Sequence, residues 1–436
     1  MTITVIGAGL AGCEASWQLA RRGFHVRLCE MKPQKYSPAH KSPLFAELVC
    51  SNSLKASRIN SAAGLLKEEM RRLGSLLLPI ADTCSVAAGG ALAVDRDLFA
   101  SAVTQSIANE PLIEVVSGEI TEVPTDGIVI VATGPLTSDA LSQNIAQLCG
   151  SEHLSFYDAA APIVSADSID MSQAFFASRY DRGEGDDYIN CPMNKEQYEA
   201  FHAALITAER APQHDVENPD VYEGCMPIEI MAKRGADTIR FGPMKPVGLR
   251  DPRTGHRPWA NLQLRRENAD GTMYNLVGFQ TNLRFGEQKR VFGMIPALAN
   301  AEFVRYGVMH RNTFINSPQI LSADFSMREH PNIFFAGQIT GVEGYMESAA
   351  SGIIAGINAA RRANGEEAVV LPRDTMIGAL TAHVYDSESK DFQPMGANFG
   401  ILPPLDVHIR DKQERYSALS QRGLASLETI MKAIAF

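Results

Sequence analysis

The chain has 436 residues, of which 45% are hydrophobic and 21% are charged. This balance is typical of globular proteins and excludes a largely disordered chain. The length indicates two or three domains. No apolar run reaches the roughly 18 residues that a membrane span needs. The first residues enter a strand pattern at once, without a basic or cleavable leader. We therefore expect a cytoplasmic protein with no membrane association.

The seven cysteines are scattered, and no two of them stand at C-x-x-C spacing. This pattern argues against a zinc ribbon and against the disulfide framework of a secreted protein. We expect no metal site, so any cysteine with a function should act as a thiol.

The net charge of −10 argues against a nucleic-acid partner, but the charge is unevenly distributed. Residues 233–311 contain 14 Lys or Arg and six Asp or Glu, a net charge of +8. This asymmetry is consistent with a local basic surface on an acidic protein. Charges spread over several solvated faces would give the same count, and that alternative stays open.

The N-terminal elements form a dinucleotide-binding pattern. Residues 2–6 predict a strand, GAGLAG at 7–12 a tight turn, residues 13–22 a helix closed by Gly23, and residues 25–29 a second strand. Glycines at this spacing allow the turn, the approach of a pyrophosphate and close helix packing, and the helix N-terminus receives the phosphates. An acid after the second strand would bind a ribose. The predicted contacts are Gly7, Ala8, Gly9, Leu10, Ala11, Gly12 and Glu30.

The remaining elements are predicted in chain order. Residues 91–94 predict a strand, 97–107 a helix and 127–132 a buried strand that ends at Thr133 and Gly134. Residues 150–325 have mixed patterns, with turns or loops at 212–219 and 250–258. A further buried strand at 332–336 precedes a small-residue helix at 347–362, and 370–436 has a mainly helical pattern.

The late strand and helix favour FAD over NAD. A simple NAD dehydrogenase does not need a late strand and helix that come back to the nucleotide-binding unit. An FAD-binding fold uses such a strand and helix to reach the flavin half of the cofactor. We therefore predict an α/β protein with a Rossmann-like FAD-binding domain of the glutathione-reductase type and an inserted α/β domain. The predicted parts are 1–150 and 326–380 for FAD, 151–325 for the insertion and 381–436 for a helical segment on the FAD domain. Further predicted contacts are Thr133, Gly134, Gly337, Gln338, Gly344, Tyr345, Glu347 and Ser348.

Several segments resemble a known family. GAGLAGCEAS at 7–16 and GQITGVEGYMESAASG at 337–352 resemble the flavoproteins that modify uridines in tRNA. FAELVCSNSL at 45–54, YEGCMPIEIMAK at 222–233, FGPMKPVGL at 241–249 and FQPMGANFGILP at 392–403 resemble the bacterial folate- and FAD-dependent tRNA (uracil-5-)-methyltransferases. One departure is Gly396, where a larger polar residue is expected.

The resemblance implies an enzyme that methylates C5 of the T-loop uridine in the T-arm of tRNA. In such an enzyme 5,10-methylenetetrahydrofolate supplies the one-carbon unit and reduced FAD supplies electrons, with NADPH or NADH as the reductant of the flavin. The inserted domain would face the RNA. No obligatory protein partner is evident.

The chemistry at uracil C5 requires a thiolate that adds at C6 and a group that then removes the C5 proton. Cys50 precedes Ser51, Asn52 and Ser53, good turn and helix-cap residues, and a thiol near a helix start would be acidified. The resemblance selects Cys50 and Cys225 as the catalytic pair. Which one attacks and which assists proton removal stays open, with a slight preference for Cys225 as the nucleophile.

Other functions remain open at this point. Lys245, Arg284, Lys289 and Arg290 are candidate phosphate contacts, although each is also an ordinary surface charge. The same chemistry could act on ribosomal RNA. An FAD oxidoreductase of a small metabolite would need no basic surface, and a non-catalytic flavin-bearing RNA-binding protein would need neither cysteine. The related flavoprotein that acts at the wobble uridine is expected to be a longer chain.

Overall fold

The structure, a computed structural model, describes residues 1–150, 154–181, 187–211, 226–386 and 392–434. The elements up to residue 150 are β1 (Thr2–Ile6), α1 (Leu10–Ala20), β2 (His25–Glu30), β3 (Ser53–Ala56), α2 (Ala62–Arg72), α3 (Leu77–Thr83), β4 (Ser85–Val86), β5 (Ala91–Val94), α4 (Arg96–Ala108), β6 (Ile113–Ser117), β7 (Val129–Val131) and α5 (Asp139–Cys149). The following elements are β8 (Leu154–Ala159), β9 (Ile163–Ser165), β10 (Phe175–Phe176), β11 (Tyr188–Met193), α6 (Lys195–Thr207), α7 (Ile228–Lys233), α8 (Thr238–Phe241), β12 (Ala260–Arg266), β13 (Met273–Leu276), α9 (Phe285–Phe292), β14 (Phe303–Arg305) and β15 (Met309–Phe314). The last elements are α10 (Ser317–Ile320), β16 (Ile333–Phe335), α11 (Tyr345–Asn364), α12 (Met376–Asp386) and α13 (Lys412–Ile434).

The central sheet is parallel, with the strand order β16-β7-β1-β2-β6. Val129, Ile130 and Val131 of β7 are fully buried, as expected of a strand covered on both faces. On one side β7 pairs with β1, and on the other it pairs with β16, which arrives about 200 residues later. The predicted late return to the sheet is therefore confirmed.

Helices α1 and α11 pack unusually close together beside this sheet. A Cβ atom at Gly352 would lie 2.2 Å from the carbonyl oxygen of Ala11, and one at Gly356 would lie 2.8 Å from that of Ala15. Such distances are far below carbon–oxygen contact, so only glycine allows the two helices to approach this closely.

A second, antiparallel sheet has the strand order β10-β11-β12-β13-β9-β14 and takes all its strands from the predicted insertion. It has its own core, in which Phe279 packs against Phe201 and Phe292 with ring centroids 6.1 and 5.3 Å apart. Helix α6 beside it begins with a capping box formed by Asn194 and Gln197. The mixed pattern of residues 150–325 thus corresponds to short antiparallel strands, while the exact domain limits remain a prediction.

A third, small sheet has the strand order β3-β5-β4. Its turn residues bond to the second sheet, because Tyr188 donates to the carbonyl of Ala88 (2.9 Å) and the amide of Gly89 donates to Asp187 (3.1 Å). Strands β8 and β15 form a separate antiparallel ribbon. The small sheet is therefore hydrogen-bonded to the second sheet.

The predicted elements are found, with shifted ends. Helix α1 begins three residues early because Gly9 is its N-cap, and α11 begins two residues early because Gly344 (φ 121°) precedes it. The mainly helical pattern of 370–436 corresponds to α12 and α13, joined by a connection that is not helical at 392–398. The loop at 250–258 is confirmed, and the one at 212–219 lies outside the described residues. Within the described ranges, no helix has both the length and the apolar character to cross a membrane.

Candidate active site

A cavity opens at the carboxyl ends of β1, β7 and β16, beside the N-terminus of α1. The empty space in the cavity, with the open solvent at its mouth included, is about 1100 Å³. Twelve of the fifteen predicted cofactor contacts line it: Gly7, Ala8, Gly9, Leu10, Ala11, Glu30, Thr133, Gly134, Gly337, Gln338, Tyr345 and Ser348. The other three, Gly12, Gly344 and Glu347, are not among the lining residues.

The glycine turn has the geometry that an extended dinucleotide requires. Gly7 has φ 99°, and a Cβ there would lie 2.6 Å from the carbonyl oxygen of Ala132. A Cβ at Gly12 would lie 1.8 Å from the carbonyl oxygen of Gly7, whereas one at Gly9 would meet no atom within 4 Å. Gly7 and Gly12 therefore shape the turn, and Gly9 leaves space for a ligand over the helix N-terminus. The cavity thus fits FAD.

Glu30 supports this turn from the end of β2. Its carboxylate is buried and accepts hydrogen bonds from the backbone amides of Ala8 (2.8 Å) and Lys32 (3.0 Å). The side chain thus fixes the turn against the second strand. The contact between Glu30 and a ribose remains a prediction. The carboxylate oxygens of Glu30 have further lone pairs, beyond those used by the two backbone amides, that could accept it.

Tyr345 connects the cavity to the loop that contains Cys50. Its hydroxyl oxygen accepts a hydrogen bond from the amide of Cys50 (2.9 Å), lies 3.0 Å from the Cys50 sulfur and 3.3 Å from the amide nitrogen of Ser51. Burial of the phenol, together with the neighbouring Cys50, keeps the pKa of Tyr345 well above its usual value. The hydroxyl therefore stays protonated and holds the thiol next to the cavity wall.

No helix starts directly after Cys50, so the expectation of a thiol at a helix N-terminus is wrong for Cys50. Ser53 begins strand β3, because Asn52 pairs with β5 instead: its carbonyl accepts from the amide of Val94, and its side chain donates to the carbonyl of Val94 (3.1 Å). The charge environment of Cys50 is therefore not set by a helix that follows it in sequence.

Glu347 lies behind the cavity wall, in the first turn of α11. Its buried carboxylate accepts from Lys55 (2.6 Å) and from the amide of Ala397 (2.9 Å). A Cβ at Gly396 would lie 3.0 Å from the carbonyl oxygen of Glu343 and 3.4 Å from the Lys55 ammonium. Gly396, where a larger polar residue is expected, has no side chain. The chain at Gly396 can therefore pass close to the ion pair of Glu347 and Lys55.

Four of the other described cysteines have a thiol pKa raised by burial. Burial raises the pKa of Cys13, Cys29 and Cys191, and it raises that of Cys149 to about 11. These thiols are therefore poor nucleophiles at neutral pH. Cys225 lies outside the described residues, so its position relative to Cys50 remains a prediction.

The four predicted phosphate contacts are all exposed, but two of them are paired with nearby acids. Arg284 bonds to Glu209 (2.8 Å), and Arg290 bonds to Glu287 (2.6 Å). Lys245 and Lys289 are also on the surface. Part of the positive charge counted in the sequence is therefore neutralised locally, and the RNA-binding role of the segment remains a prediction.

Sequence reasoning missed three arginines and a lysine at this site. Arg96, Arg265 and Arg305 bond to the loop around Cys50, and Lys55 pairs with Glu347. The three arginines come from distant parts of the chain, and no local spacing distinguishes any of the four residues from other basic residues.

A five-stranded parallel sheet, a glycine turn with a supporting acid, and a late strand that completes the cavity define a Rossmann-like FAD-binding protein. The fold is similar to that of Aquifex aeolicus GidA, with a TM-score of 0.69 at 16% identity over 98% of this chain and 73% of that one. The family model described as "Glucose inhibited division protein A" matches residues 2–367.

Two curated relatives match almost the whole chain. Both are named methylenetetrahydrofolate–tRNA-(uracil-5-)-methyltransferase TrmFO. The one from Pelotomaculum thermopropionicum is 57% identical over 433 residues, with 99% of each chain covered. The one from Acetivibrio thermocellus is 59% identical over 426 residues, with 98% of each chain covered. The chain therefore belongs to the family of the methylenetetrahydrofolate–tRNA-(uracil-5-)-methyltransferases, which confirms the resemblance seen in the sequence.

Proposed function

We propose that the protein methylates C5 of the T-loop uridine in tRNA, with 5,10-methylenetetrahydrofolate as the one-carbon donor and reduced FAD as the reductant. The names of the relatives at 57–59% identity support the reaction and the substrate class. The cavity at the glycine turn supports the cofactor. NADPH or NADH would keep the flavin reduced.

The observation that carries this proposal is the position of Cys50. Its sulfur lies 3.0 Å from the hydroxyl of Tyr345, which lines the cavity, and its loop also contacts the second sheet through Arg265. A uracil base that enters from the side of the second sheet would contact the Cys50 thiol and the Tyr345 end of the cofactor cavity at the same time. A target inside a folded RNA must leave its stack to reach such a place.

The residues of the chain would act in a defined order. A cysteine thiolate, from Cys50 or Cys225, forms a bond to C6 of the uracil, and the electron pair moves to make C5 nucleophilic. C5 then bonds to the methylene carbon of the folate. A base removes the C5 proton and the bond between the methylene carbon and the folate nitrogen breaks, so that tetrahydrofolate leaves and an exocyclic methylene remains on C5. Reduced FAD, when bound, would supply the hydride that converts this methylene to a methyl group, and the C6–sulfur bond would then break to release the cysteine thiolate.

The chain's other groups bind and orient. The glycine turn, Glu30 and the residues at 133–134 and 337–338 would hold the cofactor, and Tyr345 would keep the Cys50 loop in place. The insertion at 151–325, with its basic segment, would face the T-arm, while 326–380 completes the FAD domain and 381–436 packs on it.

The test is an anaerobic reaction of the reduced holoenzyme with labelled methylenetetrahydrofolate and an unmodified tRNA transcript, followed by nucleoside analysis. Label should appear as 5-methyluridine and should be lost in Cys50→Ala and Cys225→Ala. Cys84→Ala is the matched control, because Cys84 is also partly exposed and lies in the same region of the chain. It should retain activity.

Two results would contradict the proposal in different ways. Label in ribosomal RNA but not in tRNA would change the substrate and leave the chemistry intact. A flavin that is reduced normally, with no label in either RNA, would overturn the methyltransferase assignment. An oxidoreductase acting on a small metabolite would then be the remaining candidate.

A further inference from the structure

The loop at residues 48–52 has no regular secondary structure, yet a side chain from elsewhere bonds to each of its residues. Tyr345 accepts from the amide of Cys50, as described above. Arg96 donates to the carbonyl of Leu48 at 2.6 Å, and Arg305 donates to the carbonyl of Val49. The loop is therefore fixed mainly by side chains, and three of these are arginines.

Arg265 makes the most specific of these contacts. Its Nε donates to the side-chain oxygen of Asn52 and its Nη2 to the hydroxyl of Ser51, both at 2.9 Å. Only 7% of Arg265 is exposed, and it lies on β12 in the second sheet. A planar guanidinium can satisfy two acceptors at fixed positions, whereas a lysine ammonium cannot reproduce this geometry.

The three arginines share one counter-ion. Glu267 is buried and forms an ion pair with Arg96. Burial raises the pKa of Glu267, and the charges of Arg96, Arg265 and Arg305 oppose that rise. With Glu267 ionised, the three arginines and Glu267 together have a net positive charge, and Arg265 and Arg305 lie close enough to Cys50 to interact with it electrostatically.

We propose that Arg265, Arg305 and Arg96 are positioning residues for methyl transfer: they clamp loop 48–52 across the boundary between the two large sheets and favour the thiolate of Cys50. The negative charge of Glu267 partly offsets the positive electrostatic potential that the three arginines produce at Cys50. The inference rests on the proposed function for its role in methyl transfer, whereas its effect on the Cys50 thiol is independent of RNA and folate.

The first test measures thiol reactivity in the holoenzyme. Iodoacetamide is added at neutral pH, and the alkylation rate at Cys50 is followed by peptide mass spectrometry. Arg265→Gln should slow alkylation by about tenfold, and Glu267→Gln should accelerate it several-fold, because the two changes alter the local charge in opposite directions. Arg361→Gln is the matched control. Arg361 is also largely buried and bonded, but it lies near the far end of α11, roughly 24 Å from Tyr345.

The second test separates the clamp from the charge. Arg265→Lys keeps the positive charge and loses the double contact, so Cys50 should be alkylated within about threefold of the wild-type rate. The kcat of methyl transfer should nevertheless fall by about tenfold, with the KM for tRNA nearly unchanged. Arg305→Gln repeats the charge test at a second position, in case Arg265→Gln does not fold.

The outcomes are decisive. Equal alkylation rates in Arg265→Gln and Glu267→Gln, or faster alkylation in both, would overturn the proposal, because a loop that is merely loosened exposes its thiol in either variant. An unchanged kcat in Arg265→Lys would refute the clamp. If the wild type fails to methylate any RNA, the proposed function fails, and the alkylation rates still test the effect of the arginines on Cys50.

Discussion

Gly352→Ala should separate helices α1 and α11 and weaken cofactor binding. The added Cβ would lie 2.2 Å from the carbonyl oxygen of Ala11, so the helices must move apart by about 1 Å to restore ordinary contact. Overpacking of this kind costs about 1–3 kcal/mol, and the higher helix propensity of alanine returns up to about 1 kcal/mol. We expect a net loss of about 1–2 kcal/mol in the free energy of unfolding.

The same movement should reach the cavity, because Ala11 and Ser348 both line it. Loss of one good hydrogen bond to the cofactor would weaken FAD binding by about tenfold. Thermal unfolding of the apo-protein and FAD titration by fluorescence measure the two effects. Gly286→Ala is the control, since Gly286 lies on a helix with no atom within 4 Å of the added Cβ, and it should be neutral or slightly stabilising. If both variants behave alike, the packing argument is refuted.

Three further predictions concern stability and RNA binding. Burial raises the pKa of Glu69 to about 8, so the folded state binds an extra proton between about pH 4.5 and 8 and stability falls as pH rises. In urea unfolding, the free energy of unfolding of the wild type should therefore fall by about 3 kcal/mol relative to that of Glu69→Gln between about pH 5 and pH 7. A difference between the two proteins that does not change with pH would contradict this prediction. Asp95→Ala removes the N-cap of α4 and a bond to the amide of Ala269, and should cost about 1–2 kcal/mol in the same assay; a loss no larger than that of an exposed-site variant would refute it. Replacing Lys289 and Arg290 with Glu should weaken tRNA binding. It should also reduce the slope of log Kobs against log salt concentration by about 2. An unchanged slope would exclude this surface as the tRNA-binding site.

The nucleotide-binding half of the fold could be predicted because its signals are local. The glycine turn, helix α1, strand β2 and Glu30 lie within 30 residues, and each has a characteristic spacing. Even the late strand β16 has a recognisable apolar sequence. The ends of the helices were less predictable, because Gly9 and Gly344 act as N-caps without a side chain that announces the role.

The surroundings of Cys50 could not be predicted in the same way. Arg96, Arg265 and Arg305 reach the loop from sequence distances of about 50 to 250 residues, and each looks like an ordinary basic residue in its own segment. The expected helix start failed for a related reason. Asn52 has good capping chemistry, but tertiary pairing with Val94 directs the chain into a strand instead.

The late arrival of β16 has a consequence for biosynthesis. About 200 residues separate the end of β7 from the start of β16, which a ribosome translates in roughly 10–40 s. During that interval the edge of β7 and the face of α1 that packs on α11 remain uncovered, and an exposed strand edge invites pairing with other chains. Residues 164–301 have a hydrophobic core of their own and can collapse first. The nascent N-terminal half therefore has an unpaired strand edge until the last strand has emerged.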